Sequence, residues 1–119
     1  GVMKAPIPRQ QLLARKSRPI SGERAYTVSE IEVQLTELAG WSLRDGALER
    51  SYAFRDYYDT IAFVNALAWM VHGEDHHPDL LVTYNRCTVR FNTHSVRGIS
   101  ENDFICAAKC DAVFGRGGN

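Results

Sequence analysis

Four short segments of alternating apolar residues, joined in pairs by tight turns, constrain the fold of this 119-residue chain more than any other feature. Asp45-Gly46 is a two-residue hairpin signal and links residues 41–44 to residues 47–54. In the second of these, Leu48, Tyr52 and Phe54 share a face with Arg50, while Glu49 and Ser51 point the other way. That suits a strand with one wet face. The other pair, residues 80–84 and 87–93, meets at Asn85-Arg86. There Cys87, Val89 and Phe91 alternate with Thr88, Arg90 and Asn92. Strands joined by turns this short run antiparallel.

Three helical patterns separate and flank the hairpins. The first begins at Ser29-Glu30-Ile31-Glu32, which fits a capping box. It sets Ile31, Leu35, Leu38 and Ala39 on one face and stops at Gly40. The second, capped by Asp56, carries a stripe of Tyr57, Ile61, Val64, Ala68 and Val71, widened by Phe63, Leu67 and Met70. A stripe that broad predicts a largely buried helix, ending near His72 where Gly73 follows. The third starts at Ser100-Glu101-Asn102-Asp103 and buries Phe104, Ala107, Ala108, Ala112 and Phe114. The order helix, hairpin, helix, hairpin, helix predicts an α+β fold, one four-stranded antiparallel sheet covered on one face by three helices.

The formal net charge of zero conceals an uneven distribution. Residues 1–24 hold six Lys/Arg and one acid, and the other 95 hold eight Lys/Arg and 13 Asp/Glu, a net of −5. With Pro6, Pro8, Pro19 and Gly22 among them, these charges predict a flexible basic arm over residues 1–25, a folded domain over 26–115 and a frayed tail over 116–119. An Arg-rich, acid-poor start also fits an organelle transit segment. Three cysteines, Cys87, Cys106 and Cys110, make no disulfide framework. They read as small buried residues in a reducing, cytoplasmic setting. No apolar run approaches the ~20 residues of a membrane helix, and the overall charge gives no pointer to nucleic acid.

Chemistry concentrates between residues 75 and 103. Asp75-His76-His77-Pro78 and Thr93-His94 place three of the four histidines within 19 residues. Pro78 disfavours helical backbone at His77, so the pair sits on a loop. Imidazole exchanges protons near neutral pH and suits general acid or base work. His76 and His94, at the ends of elements, can flank a small substrate. Asp75 and Asp103 are the carboxylates able to hold one imidazole tautomer. A zinc site from His76, His94 and an aspartate is an alternative, although no HxH, HxxxH or CxxC spacing accompanies them. Plain roles are open too: Asp103 as a helix-start acid, His94 as a strand end, His72 as a helix-end cation and Trp41 as a core residue.

Asp75-His76-His77-Pro78, Tyr84 six residues on, Thr93-His94 beyond it and Ser100-Glu101-x-Asp103 resemble the pterin-4a-carbinolamine dehydratases. Gly40-Trp41 and Phe54-Arg55-Asp56-Tyr57 fit the same family in order and spacing, and the resemblance covers about residues 28–114. It implies dehydration of 4a-hydroxytetrahydropterin to quinonoid dihydropterin, the recycling step after aromatic amino acid hydroxylation, with no metal or organic cofactor. It implies a homodimer or homotetramer and no membrane or direct nucleic-acid binding. In animals a family member also serves as a dimerisation cofactor for a transcription factor, so an interaction module with little catalysis is the alternative. By position, His76 and His94 would be the acid and base, in either order. His77 would bind or orient the pterin and Asp103 would support the histidines. Trp41, Asp75 and Thr93 would line the pocket. The chain departs from many members at His72, where glutamate is usual, and at Glu74, where an apolar residue is.

Overall fold

The computed structural model describes residues 2–116. Its elements are α1 (Arg9–Ala14), α2 (Val28–Gln34) with a 3-10 turn over Leu35–Glu37, β1 (Ser42–Arg44), β2 (Ala47–Ala53), α3 (Tyr57–Glu74), β3 (Asp79–Val82), β4 (Arg86–Phe91), a 3-10 turn over His94–Val96, and α4 (Glu101–Arg116). The four strands form one antiparallel sheet in the order β1-β2-β4-β3. The two expected hairpins are present, and β2 pairs β4 to join them. Asp45 and Gly46 both take positive φ, 47° and 79°, as a two-residue turn matched to strand twist requires. The second turn falls one residue earlier than expected, at Tyr84-Asn85, with Thr83 N–H donating to Arg86 O at 2.9 Å.

The alternation sorts the two faces of the sheet. Leu48, Tyr52, Cys87, Val89 and Phe91 are buried against Phe63, Leu67 and Val71 of α3 and Phe104, Ala107 and Ala108 of α4. On the other face Glu49 pairs with Arg90, at 2.6 Å, and Thr88 with Ser51. All three cysteines are free and fully buried, as their spacing suggested. Burial pushes the Cys87 thiol up to about 11 and the Cys106 and Cys110 thiols higher still. Among the described residues no helix is long and apolar enough to cross a membrane.

Three local expectations are corrected. The capping box of α2 uses Thr27 and Glu30 rather than Ser29 and Glu32. Both pairs have the right spacing, and Glu30 prevails because it also receives the Lys4 N–H and the Arg24 guanidinium. These donors, Arg24 foremost, then Thr27 and Lys4, hold its carboxyl far below the usual range. In α3 the buried residues are Thr60, Phe63, Leu67 and Val71, one side only. Tyr58 and Trp69, 81% and 83% exposed, face outward. The helix also passes through Gly73 to Glu74 and ends at Asp75, whose φ of 52° is a conformation aspartate tolerates.

The largest difference lies at the N-terminus. A flexible arm is expected over residues 1–25, yet Ile7, Leu12 and Ile20 are buried and α1 packs on α4. The backbone of this segment is satisfied by side chains of the main body. Glu30 and Gln34 of α2 and Glu37 of the 3-10 turn after it accept from the N–H groups of Lys4, Ile7 and Arg9 at 2.5, 2.7 and 2.8 Å. Arg15, Arg18 and Arg24 pair with Glu101, Glu23 and Glu30. Burial of Leu12 alone is worth about 1.5–3 kcal/mol. The segment also explains why α4 is buried at successive positions from Asn102 to Ala108: it is covered from both sides. That helix runs through Arg116, and the rest of the expected tail, 117–119, lies outside the described residues.

Candidate active site

The end of α3 builds the first half of the site. The Asp75 N–H donates to His72 O at 3.2 Å, and the His76 N–H reaches back to Val71 O at 3.4 Å. This turn sends the adjacent imidazoles in different directions. His76 is largely buried and stacks on Phe91, with centroids 5.9 Å apart and planes within 10°. His77 is exposed.

The end of β4 builds the second half. Thr93 and Gly98 exchange backbone hydrogen bonds at 2.8 and 3.3 Å around the turn that carries His94. Thr93 is buried and His94 exposed. Arg97, at φ 53°, closes the turn.

Asp103, in the first turn of α4 and 0% exposed, joins the two halves. Its Oδ1 lies 2.6 Å from His76 Nε2. Its Oδ2 accepts from Thr93 Oγ1 at 2.7 Å and from the Ser100 N–H at 2.8 Å. Thr93 spends its single hydroxyl proton on Asp103, so across the 2.7 Å contact between Thr93 and Ser100 the serine is the donor. Ser100 Oγ in turn accepts from the Asn102 N–H at 3.2 Å. The proton directions therefore run from Asn102 through Ser100 and Thr93 onto one carboxylate oxygen. The other oxygen is left to accept the Nε2–H of His76. That fixes the tautomer of the neutral ring, with its proton on Nε2 and none on Nδ1.

A cleft of about 600 Å³ opens over these groups, within the range that takes a whole small ligand. Asp75, His76, His77, Thr93 and His94 line it. Five of the seven candidate residues thus share one cavity. Asp103 stands behind His76, 2.6 Å from its Nε2, and is not in the cleft wall. Trp41, which the resemblance places in the pocket, is not in the cleft wall. It is buried against Phe91 and Tyr52, its indole N–H 3.1 Å from Asp111, which also takes Arg50 and Tyr52. Among the described residues no group of three His, Cys, Asp or Glu side chains is placed to hold a metal ion.

Sequence reasoning missed several contributors. Alternation places Phe91 in a strand but does not show that it also stacks the His76 imidazole. Ser100 was read as a helix start. Lys16, Ser17, Arg18, Pro19 and Ile20 also line the cleft, opposite in character to the flexible arm expected there. The apolar residues Ile7, Leu12 and Ile20 were the available signal that this segment docks.

Comparison with known proteins gives the family. A model of the pterin 4 alpha carbinolamine dehydratase family matches residues 24–113. A relative from Bdellovibrio bacteriovorus, named as a pterin-4-alpha-carbinolamine dehydratase, is 57% identical over 109 residues, covering 88% of this chain and 89% of its own. One of the same name from Stenotrophomonas maltophilia is 62% identical over 81 residues, covering 66% of this chain and 70% of its own. A solved structure from Brucella melitensis, described as a transcriptional coactivator/pterin dehydratase, superposes with a TM-score of 0.71 at 35% identity. It covers 76% of this chain and 98% of its own. The Bdellovibrio match, 88% of 119 residues or about 105, has to begin at or before about residue 15, so it extends into the N-terminal segment that the family model leaves out. With these matches spanning the strands, the helices and the histidine cleft, the chain belongs to the pterin-4-alpha-carbinolamine dehydratases, a family of hydro-lyases.

Proposed function

We propose that this chain dehydrates 4a-hydroxytetrahydropterin to quinonoid dihydropterin, using His76 and His94 as general acid and base, in the recycling of tetrahydropterin after aromatic hydroxylation. The observation that carries this reading is one cleft lined by three histidines, one of them fixed through Nε2 by a buried carboxylate. In the reaction the C4a–O bond breaks as the lone pair of the neighbouring ring nitrogen forms a C=N bond. One imidazole protonates the departing oxygen, which leaves as water. The other takes a proton from ring nitrogen. Each such transfer contributes typically ~10²–10⁴-fold. His77, exposed at the rim, orients the pterin, and Asp75 and Thr93 complete the wall.

Stopped-flow dehydration of the carbinolamine tests this. His76→Ala and His94→Ala are each expected to lose at least about tenfold in rate. Wild-type rates in both variants would sink the assignment.

A second reading, an interaction module that works as a homo-oligomer or a transcriptional cofactor, is favoured by one specific feature. The outer side of α3 exposes Tyr57, Tyr58 and Trp69, and a shallow groove between Trp69, Met70 and Val113 continues it. Light scattering distinguishes the readings' assembly requirement: Trp69→Glu is expected to lower the mass of any oligomer built on that face, and an unchanged mass would exclude it.

A further inference from the structure

Part of the N-terminal segment forms a wall of the histidine cleft. Residues 16–20 line it together with Asp75, His76, His77 and His94. Two latches hold them there. The Ser17 N–H donates to Glu74 Oε1 at 2.9 Å and the Ser17 hydroxyl donates to Glu74 O. The Arg18 backbone exchanges two hydrogen bonds with the Asn102 side chain, N–H to Oδ1 at 3.1 Å and Nδ2 to O at 2.7 Å. Glu74 is itself braced by Lys109 at 2.8 Å. Burial works against the Glu74 carboxylate, but Lys109 and the Ser17 N–H together hold it below the usual range. The departure at Glu74 therefore has a structural purpose, since an apolar residue there would leave the Ser17 N–H without its acceptor.

The charges of the segment divide in the same way. Arg15, Arg18 and Arg24 are each engaged by a carboxylate. Lys16 has no ion pair among the described residues, although it lines the cleft and is exposed. The reacting edge of the pterin has to lie against the histidines, so the strap meets another part of the same molecule. The match to the Brucella protein leaves about a quarter of this chain without a counterpart.

We infer that residues 16–20 form a strap that closes one wall of the pterin cleft and selects substrates by their side chain, Lys16 donating to oxygen acceptors on it. This rests on the function proposed above and adds a specificity-determining residue outside the histidine block.

The test compares full-length wild type with Lys16→Ala on two carbinolamines, one with a dihydroxypropyl side chain and one with a methyl group in its place. The expected result is a wild-type preference in kcat/KM for the dihydroxypropyl substrate that falls about two- to tenfold in the variant, the range for one hydrogen bond. An unchanged preference overturns the inference. So does an equal loss on both substrates, which marks general damage rather than selection. A second measurement does not depend on turnover. Binding of 7,8-dihydrobiopterin is expected to slow hydrogen exchange at the Ser17 and Arg18 amides, and exchange unaffected by saturating ligand overturns the strap. Wild type that turns over neither substrate refutes the proposed function itself, whereas turnover with an unaltered preference refutes the strap alone.

Discussion

Asp103→Asn replaces one carboxylate oxygen by nitrogen and leaves the shape of the side chain intact. The surroundings decide which way the amide faces. The Ser100 N–H and the Thr93 hydroxyl both donate to Oδ2, and the Ser100 N–H cannot turn away. The amide oxygen must therefore take the Oδ2 position and the NH₂ must take the Oδ1 position, facing His76 Nε2 where an acceptor stood 2.6 Å away. An N–H cannot face an N–H, so the imidazole must move its proton to Nδ1 and offer Nε2 as acceptor. Nδ1 then carries a proton that it lacks in the native neutral ring.

The stability cost is the loss of one charge-assisted bond, about 1.5–3 kcal/mol, plus a helix-start anion worth about 0.3–1 kcal/mol. The total of about 2–4 kcal/mol is below the 5–15 kcal/mol typical of a domain, so the variant is expected to fold. Its dehydration rate is expected to fall ~10²–10⁴-fold, with urea unfolding showing the smaller stability loss. Nitrogen-15 NMR of the His76 ring is expected to report the proton on Nδ1. A variant with the native rate, or one with a lost rate and the proton still on Nε2, would refute the reasoning.

Leu12→Ala is expected to destabilise the chain by about 2–5 kcal/mol, because Leu12 is fully buried beneath α4; a freely moving arm would give a change near zero in chemical denaturation. Glu30 and Glu74 are both held below their ordinary values in the folded state. Their contribution is complete above about pH 4.3 and is lost as pH falls below it, since the unfolded chain then binds more protons. The urea midpoint should drop between pH 5 and pH 3, and drop less steeply in Glu30→Gln; parallel slopes would count against this account. Cys87, Cys106 and Cys110 are buried with raised thiol pKa values, so native protein at pH 8 is expected to resist iodoacetamide and to react at all three only in denaturant, as mass spectrometry would show.

The elements were legible in the sequence wherever the signal was local. Alternation in residues 47–54 and 87–93, the Asp45-Gly46 turn and the Asp56 cap each act within a few residues, and the structure holds all of them. The buried side of α3 was not legible, because apolar residues lie nearly all round that helix. Contact of Thr60 with Tyr84 O, at 3.0 Å across the second hairpin turn, belongs to the chosen side, and no periodicity reveals it. The arm was misread for a related reason. Its own composition is basic and broken by prolines, while the acids and amides that hold it, Glu30, Gln34, Glu74 and Asn102, lie elsewhere in the chain.

The kinds of group available and their local frames can be read along the chain: two histidines on a Pro-terminated loop, one after a strand, and an aspartate in the first turn of a helix. Which of them meet depends on how the elements pack. Packing set His76 on Phe91 and Asp103, left His77 and His94 exposed, drew Trp41 away to Asp111, and put residues 16–20 in the cleft wall. The difference is one of range. Caps, turns and alternation are settled by neighbours in sequence, whereas a hydrogen bond between residues 76 and 103 or 17 and 74 exists only after the sheet and helices have packed.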